Sequence, residues 1–210
     1  MATNSLPPGL ELIRAALSEG RGIARIRLAG ADLRGESFAG LRGDFCVFDG
    51  ANLQGASFAG AGLMDCDFIG CDVSGVDWSG ATLWQCRFRN ADGTRALLRR
   101  ARLANSFFSD ANWTGCDFAG ADLDDFSALD AILNNACFDG AHGSGADFSR
   151  SRLQGCSFRT ARLASARFVG ADLTGADFAG ADLAHADFSS AKLAGVIWDG
   201  ANLQGARFPG

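Results

Sequence analysis

The sequence predicts a solenoid, a rod around which the chain turns a corner every five residues. Three observations carry this. Stepping by five from Leu28 to Phe208 passes through 37 repeats without an insertion or a deletion. The central position of each repeat, i, holds 15 Leu, 14 Phe, Trp78, Trp113, Trp198 and Val73, with Gly43, Gly93, Ala128 and Gly143 as exceptions. Position i−2 holds 23 Ala and six Cys, and position i+2 takes 21 of the 28 Gly. A period of five matches neither a 3.6-residue helix nor a two-residue strand. It matches a rod in which i−2 and i point inward. The small residue limits the width, the large one fills the interior, and Gly permits the corner.

Segments such as ANLQG (51–55), ADLTG (171–175) and ADFAG (176–180) show the pattern at its purest. Over residues 26–210 the chain resembles the pentapeptide-repeat family, whose consensus runs Ala, Asp or Asn, Leu or Phe, variable, Gly. That resemblance implies an all-β fold, a right-handed quadrilateral parallel β-helix with four pentapeptides per coil. It would have about nine coils and a length of roughly 44 Å at the usual strand spacing. The Leu/Phe alternation then places aromatic residues on two opposite faces, with Phe48, Phe68, Phe88 and Phe108 stacked in one column. Asp172, Asp177, Asp182 and Asp187 all occupy i−1, one per face of a single coil, so they ring the rod and are read as structural.

Residues 1–25 precede the repeats and are expected to form a tail and a capping helix. Gly9 to Gly20 reads as that helix, with Leu10, Ile13, Ala16 and Leu17 on one face and Gly20 as its C-cap. Its role is to cover the first coil, as terminal repeats of solenoids require. The last repeats run in register to Gly210 with no cap, and relatives often dimerise at this end. A homodimer through Trp198, Leu203 and Phe208 is therefore expected.

Composition excludes several function classes. Met1–Gly9 has neither the basic start nor the apolar stretch of a signal peptide, and no segment is long and apolar enough for a membrane span, so the cytoplasm is the expected location. A net charge of −5 argues against a general nucleic-acid binder. His142 and His185 lie far apart, no nucleophile or phosphate-loop motif is present, and no catalytic residue, metal ligand or cofactor is assigned. Six of seven cysteines fill the small i−2 slot and are read as buried small hydrophobes. Gly43, Gly93 and Gly143 are expected to mark local bulges or narrowings. Phe126, large in a small slot, offsets Ala128 in the same repeat.

The outward positions carry the variation. Residues 43–86 hold six Asp and no Lys or Arg; residues 87–102 hold six Arg against Asp92. Eight Asp without a cation follow over 103–149, then five Arg without an acid over 150–167. On a coil these become girdles. Met64 and Trp84 share one outward slot a coil apart and make an apolar patch for a protein partner. Phe45 is expected to turn inward and replace the core residue missing at Gly43. The Asp122, Asp124 and Asp125 cluster is the second candidate for partner binding. The expected function is that of a non-enzymatic β-solenoid that binds protein through its charge-banded surface. The alternative, which the resemblance suggests, is a DNA mimic that protects a type II topoisomerase such as DNA gyrase from antibiotics. The Arg girdles interrupt the continuous negative potential that mimicry requires.

Overall fold

A computed structural model describes residues 8–210. The stretch 1–7, most of the segment read as lacking a signal peptide, lies outside the described residues. The chain begins with α1 (Pro8–Glu19) and continues as a parallel β-helix. Gly20, at φ 66°, ends the helix, and Arg21 N donates to Ala16 O at 3.0 Å. Leu10, Ile13 and Ala16 are buried and join the core of the rod. Gly9 makes this docking possible, since a Cβ there would stand 3.0 Å from Ile26 Cγ2 and 3.1 Å from the Arg27 carbonyl oxygen. Arg14 reaches from the helix to both carboxylate oxygens of Glu36, at 2.8 and 2.9 Å. Among the described residues, no helix is long and apolar enough to cross a membrane.

Parallel bridges join i−1 positions twenty residues apart, from Arg27↔Val47 to Asp187↔Arg207. Twenty residues per coil makes four pentapeptides, hence four faces. The first face contains Ile23, Gly43, Leu63 and Leu83; the second, Leu28, Phe48 and Phe68. The third contains Leu33, Leu53 and Val73; the fourth, Phe38, Phe58 and Trp78. At most corners the carbonyl of residue i accepts from the N–H three residues on, as Leu28 O does from Ala31 N at 3.1 Å. The residue at i+2 has a positive φ, 67° at Gly30. This is a type II turn, and it accounts for the glycines. Asp or Asn at i−1 supplies the remaining tie: Asp177 Oδ1 accepts Ala179 N at 2.8 Å, and Asp172, Asp182 and Asp187 bind the corresponding N–H groups. The carboxyls of Asp172 and Asp187 are held below the ordinary carboxylate range first by the Thr174 and Ser189 side chains, and that of Asp177 by the Ala179 N–H.

Rings stack on the two aromatic faces. Centroids of Phe48, Phe68, Phe88 and Phe108 follow each other at 4.8, 4.8 and 4.6 Å. At Ala128 the column passes through Phe126, 4.9 Å from Phe108 and 6.0 Å from Phe148. Gly93 marks no narrowing. A Cβ at Gly93 would lie 2.2 Å from Trp113 Cε3, so the glycine makes room for an indole one coil on. That indole lies against Phe88 at 5.5 Å and Phe108 at 4.5 Å, where Leu98 interrupts the fourth-face column. The buried Nε1 atoms of Trp78 and Trp113 have no hydrogen-bond partner among the described residues, so both indoles serve as bulk.

Candidate protein-binding site

One corner departs from the rule. On the first face, β1 (Ile23–Ala24), β2 (Arg42–Asp44), β3 (Gly62–Met64) and β4 (Thr82–Trp84) form a four-stranded parallel sheet. Here the strand continues past residue i, and Asp44, Met64 and Trp84 pair in register. Continuation is possible because the turn is open: Cys46 N does not reach back to the Gly43 carbonyl. It donates to Cys66 Sγ of the next coil at 3.4 Å, while the Cys66 thiol donates to Gly43 O at 3.4 Å. Two coils on, Cys86 N donates to Ser106 Oγ at 3.1 Å, and the Ser106 hydroxyl donates to the Leu83 carbonyl. Cysteine or serine in the small slot thus satisfies the N–H and C=O groups that a closed turn would pair. From Ser106 onward the turn closes again, with Ser106 N on Leu103 O at 3.0 Å.

The open corner holds Met64 and Trp84 in one row, with Phe45 one residue past their partner Asp44. Phe45 is 50% exposed, Met64 43% and Trp84 39%, large values for residues of this kind. The expectation that Phe45 fills the gap at Gly43 is corrected. There is no gap, because a Cβ on Gly43 would already stand 3.1 Å from Leu63 Cδ2 and 3.4 Å from Cys46 Sγ and Ile23 Cγ1. Phe45 instead faces solvent with the Arg25 guanidinium 5.6 Å over its ring. Phe107 adds a further exposed ring on the second face, in register with Arg87. It was not singled out from the sequence, although a large apolar residue at outward i−1 is the signal that identifies it.

Asp122, Asp124 and Asp125 lie at one corner, where Asp125 takes the left-handed turn position at φ 53° and the other two are engaged by backbone. Asp122 Oδ1 accepts Asp124 N at 3.3 Å, and Asp124 Oδ1 accepts Ser144 N at 2.9 Å. The groove beside them, about 290 Å³, is shared with Arg100, Arg102 and His142 and is therefore mixed in charge. The girdles also pair with each other across coils. Arg87 binds Asp67, Arg89 binds Asp110 at 3.1 Å, Arg99 binds Asp117 at 2.5 Å, and Arg150 binds Asp130 at 2.7 Å. All seven cysteines are free thiols, and no cluster of three or more His, Cys, Asp or Glu with metal-binding geometry occurs among the described residues. Trp198 and Leu203 are half-buried and Phe208 is 43% exposed at the last coil.

Comparison with known proteins agrees with this architecture. The family model for a pentapeptide repeat region matches residues 108–188, and the model for pentapeptide repeats matches 24–58, 44–77, 79–110 and 181–210. Among solved structures, HetL of the cyanobacterium Nostoc sp. strain PCC 7120, a pentapeptide repeat protein involved in heterocyst differentiation regulation, is 27% identical with a TM-score of 0.57. The alignment covers 94% of this chain and 95% of HetL. QnrB1, a plasmid-mediated fluoroquinolone resistance protein, is 24% identical over 89% of this chain and 91% of its own, with a TM-score of 0.46. No curated protein matches the chain. The five-residue register, the twenty-residue coil and the family matches lead to one conclusion: the chain belongs to the pentapeptide-repeat family and folds as its quadrilateral β-helix.

Proposed function

We propose that this protein is a non-enzymatic, cytoplasmic binding rod whose main docking surface is the open corner bearing Phe45, Met64 and Trp84. The observation that carries the reading is the exposure of three large apolar side chains on successive coils of one corner. Elsewhere the repeat presents mostly small or polar residues outward. Exposed aromatic and Met side chains in a cluster are the composition of an interface anchor. Asp44 pairs in register with Met64, Asp65 follows Met64 in the chain, and residues 43–86 contain no Lys or Arg. The partner surface that fits is an apolar segment flanked by cations. HetL, similar in fold and length, is involved in differentiation regulation, a role compatible with a binding protein. The half-buried Trp198 and Leu203 with Phe208 offer a separate face to a second copy of the 210-residue chain.

The topoisomerase-protecting DNA-mimic reading has less support. Its remaining acidic candidates, Asp122 and Asp124, are tied to backbone N–H groups and lie beside Arg100 and Arg102. A photo-crosslinking residue placed at Trp84, and separately at Thr174 on a distant corner, tests the main proposal in the producing cell. A discrete protein adduct at 84 and none at 174 is expected. Equal labelling at both positions, or none at 84, refutes the docking corner.

A further inference from the structure

Between residues 85 and 110 the repeat gives up glycine at six successive corners, Gln85, Asn90, Arg95, Arg100, Asn105 and Asp110, all at φ between 53° and 60°. Asn and Asp tolerate this left-handed conformation; arginine has no such compensation. Four arginines of the rod sit at such corners. Arg25 lies over the Phe45 ring and Arg150 pairs with Asp130, so each already has a partner within the chain. Arg95 and Arg100 form no ion pair among the described residues. Yet neighbouring Arg87, Arg89 and Arg99 all have carboxylate partners.

Both side chains are held outward. In the coils before and after, Arg95 is matched by Gly75 and Gly115, and Arg100 by Gly80 and Gly120. The Cγ of Arg95 lies 3.9 Å from the Cβ position of Gly115, and that of Arg100 lies 3.5 Å from the Cβ position of Gly120. The stems therefore rest on glycine and the guanidinium groups project. A shallow groove of about 700 Å³ runs past Ser79, Gly80, Arg99, Arg100, Ala119 and Gly120. Between the two corners, on the fourth face, stands Leu97, 42% exposed.

We propose that Arg95, Leu97 and Arg100 form a second docking site, independent of the Trp84 corner, for a short acidic segment of a partner protein. The segment crosses the rod, sets an apolar side chain on Leu97 and directs carboxylates to the guanidinium groups at either corner. The five-residue step from Arg95 to Arg100 spans at most about 17 Å, the reach of an extended pentapeptide. Charge placement favours a crossing peptide over a nucleic acid running along the axis. Asp77 and Asp117 are in register with Leu97 in the coils on either side, so an axial polyanion meets carboxylates immediately beyond the belt. Arginine at these corners sacrifices backbone comfort for a guanidinium fork suited to carboxylates.

Fluorescence anisotropy with a labelled Glu-Ser-Leu-Ser-Glu peptide tests this. The comparisons are an all-Ser-and-Leu peptide and a short single-stranded DNA, each against the wild type and an Arg95→Gly/Arg100→Gly variant. The wild type should bind the acidic peptide in preference to both comparisons, more weakly as salt rises. The variant should lose about tenfold or more in affinity, in line with two charge-assisted contacts removed. Its melting temperature should hold or rise by about 2–4 °C per substitution, since glycine relieves the corner. Failure of the acidic peptide to bind, tighter binding of the DNA, or equal affinity in the variant overturns the proposal. A lower melting temperature in the variant overturns it too, because the arginines would then be structural.

Discussion

Cysteine in this rod does more than fill a small slot. Cys66 and Ser106 take over both hydrogen bonds that an open corner leaves unmade, and between them the Cys86 thiol donates to the Leu63 carbonyl at 3.6 Å. Alanine would match their size and supply neither donor nor acceptor. Elsewhere in the core, burial pushes the Cys71 and Cys156 thiols up to about 12 and so suppresses their reactivity. Only the thiolate is nucleophilic. The Cys137 thiol is also raised by burial, but it differs in access, being half-buried at an outward i−1 position. In native protein at mild alkaline pH, a colorimetric thiol reagent should therefore titrate one cysteine quickly and the other six only on unfolding. Several fast thiols would show that the rod opens locally. The slot preference for Cys was visible in the sequence, but the bonds were not. They depend on which corners are open, a property of the backbone that the five-residue register leaves undetermined.

Among the elements, the coil is the unit that must be filled, and neighbouring coils share the task. Gly93 and Trp113 illustrate this, a missing side chain on one level and an oversized one on the next. Gly93 does not have a positive φ, so replacing it tests space alone. Gly93→Ala should cost about 1–3 kcal/mol as the new methyl meets the indole. Combining it with Trp113→Leu should cost less than the two changes summed by at least about 1 kcal/mol. Equilibrium denaturation of the four proteins measures this, and strict additivity would refute the coupling. The swap between Ala128 and Phe126 was legible because both lie in one repeat. The pairing of Gly93 with Trp113 was harder to see because they lie twenty residues apart, and only the coil makes them neighbours. Phe45 was misread for the converse reason. The space at Gly43 is taken by Leu63, Cys46 and Ile23, side chains from three coils.

Across the whole molecule, folding and recognition occupy different positions of the repeat. The positions i−2, i and i+2 build the interior and the corners, and Asp or Asn, where it stands at i−1, accepts a further N–H of the turn. Burying a Phe or Leu stabilises by about 1.5–3 kcal/mol, and this repeats on every face of nearly every coil. The ion pairs between girdles are exposed on their arginine side, so solvent and salt screen them and they add little to stability. The core therefore sets stability, and the outward positions are open to selection for partners. The bands of charge, the Trp84 corner and the Arg95–Arg100 face are where this chain departs from its own repeat. The central claim is that the apolar corner is surplus to the fold. Thermal melting of a Phe45→Ser/Met64→Ser/Trp84→Ser variant tests it most directly. The account predicts a midpoint within about 2 °C of the parent, as for exposed substitutions generally. A fall of more than about 5 °C, the loss expected when core is removed from a chain of this size, would contradict it.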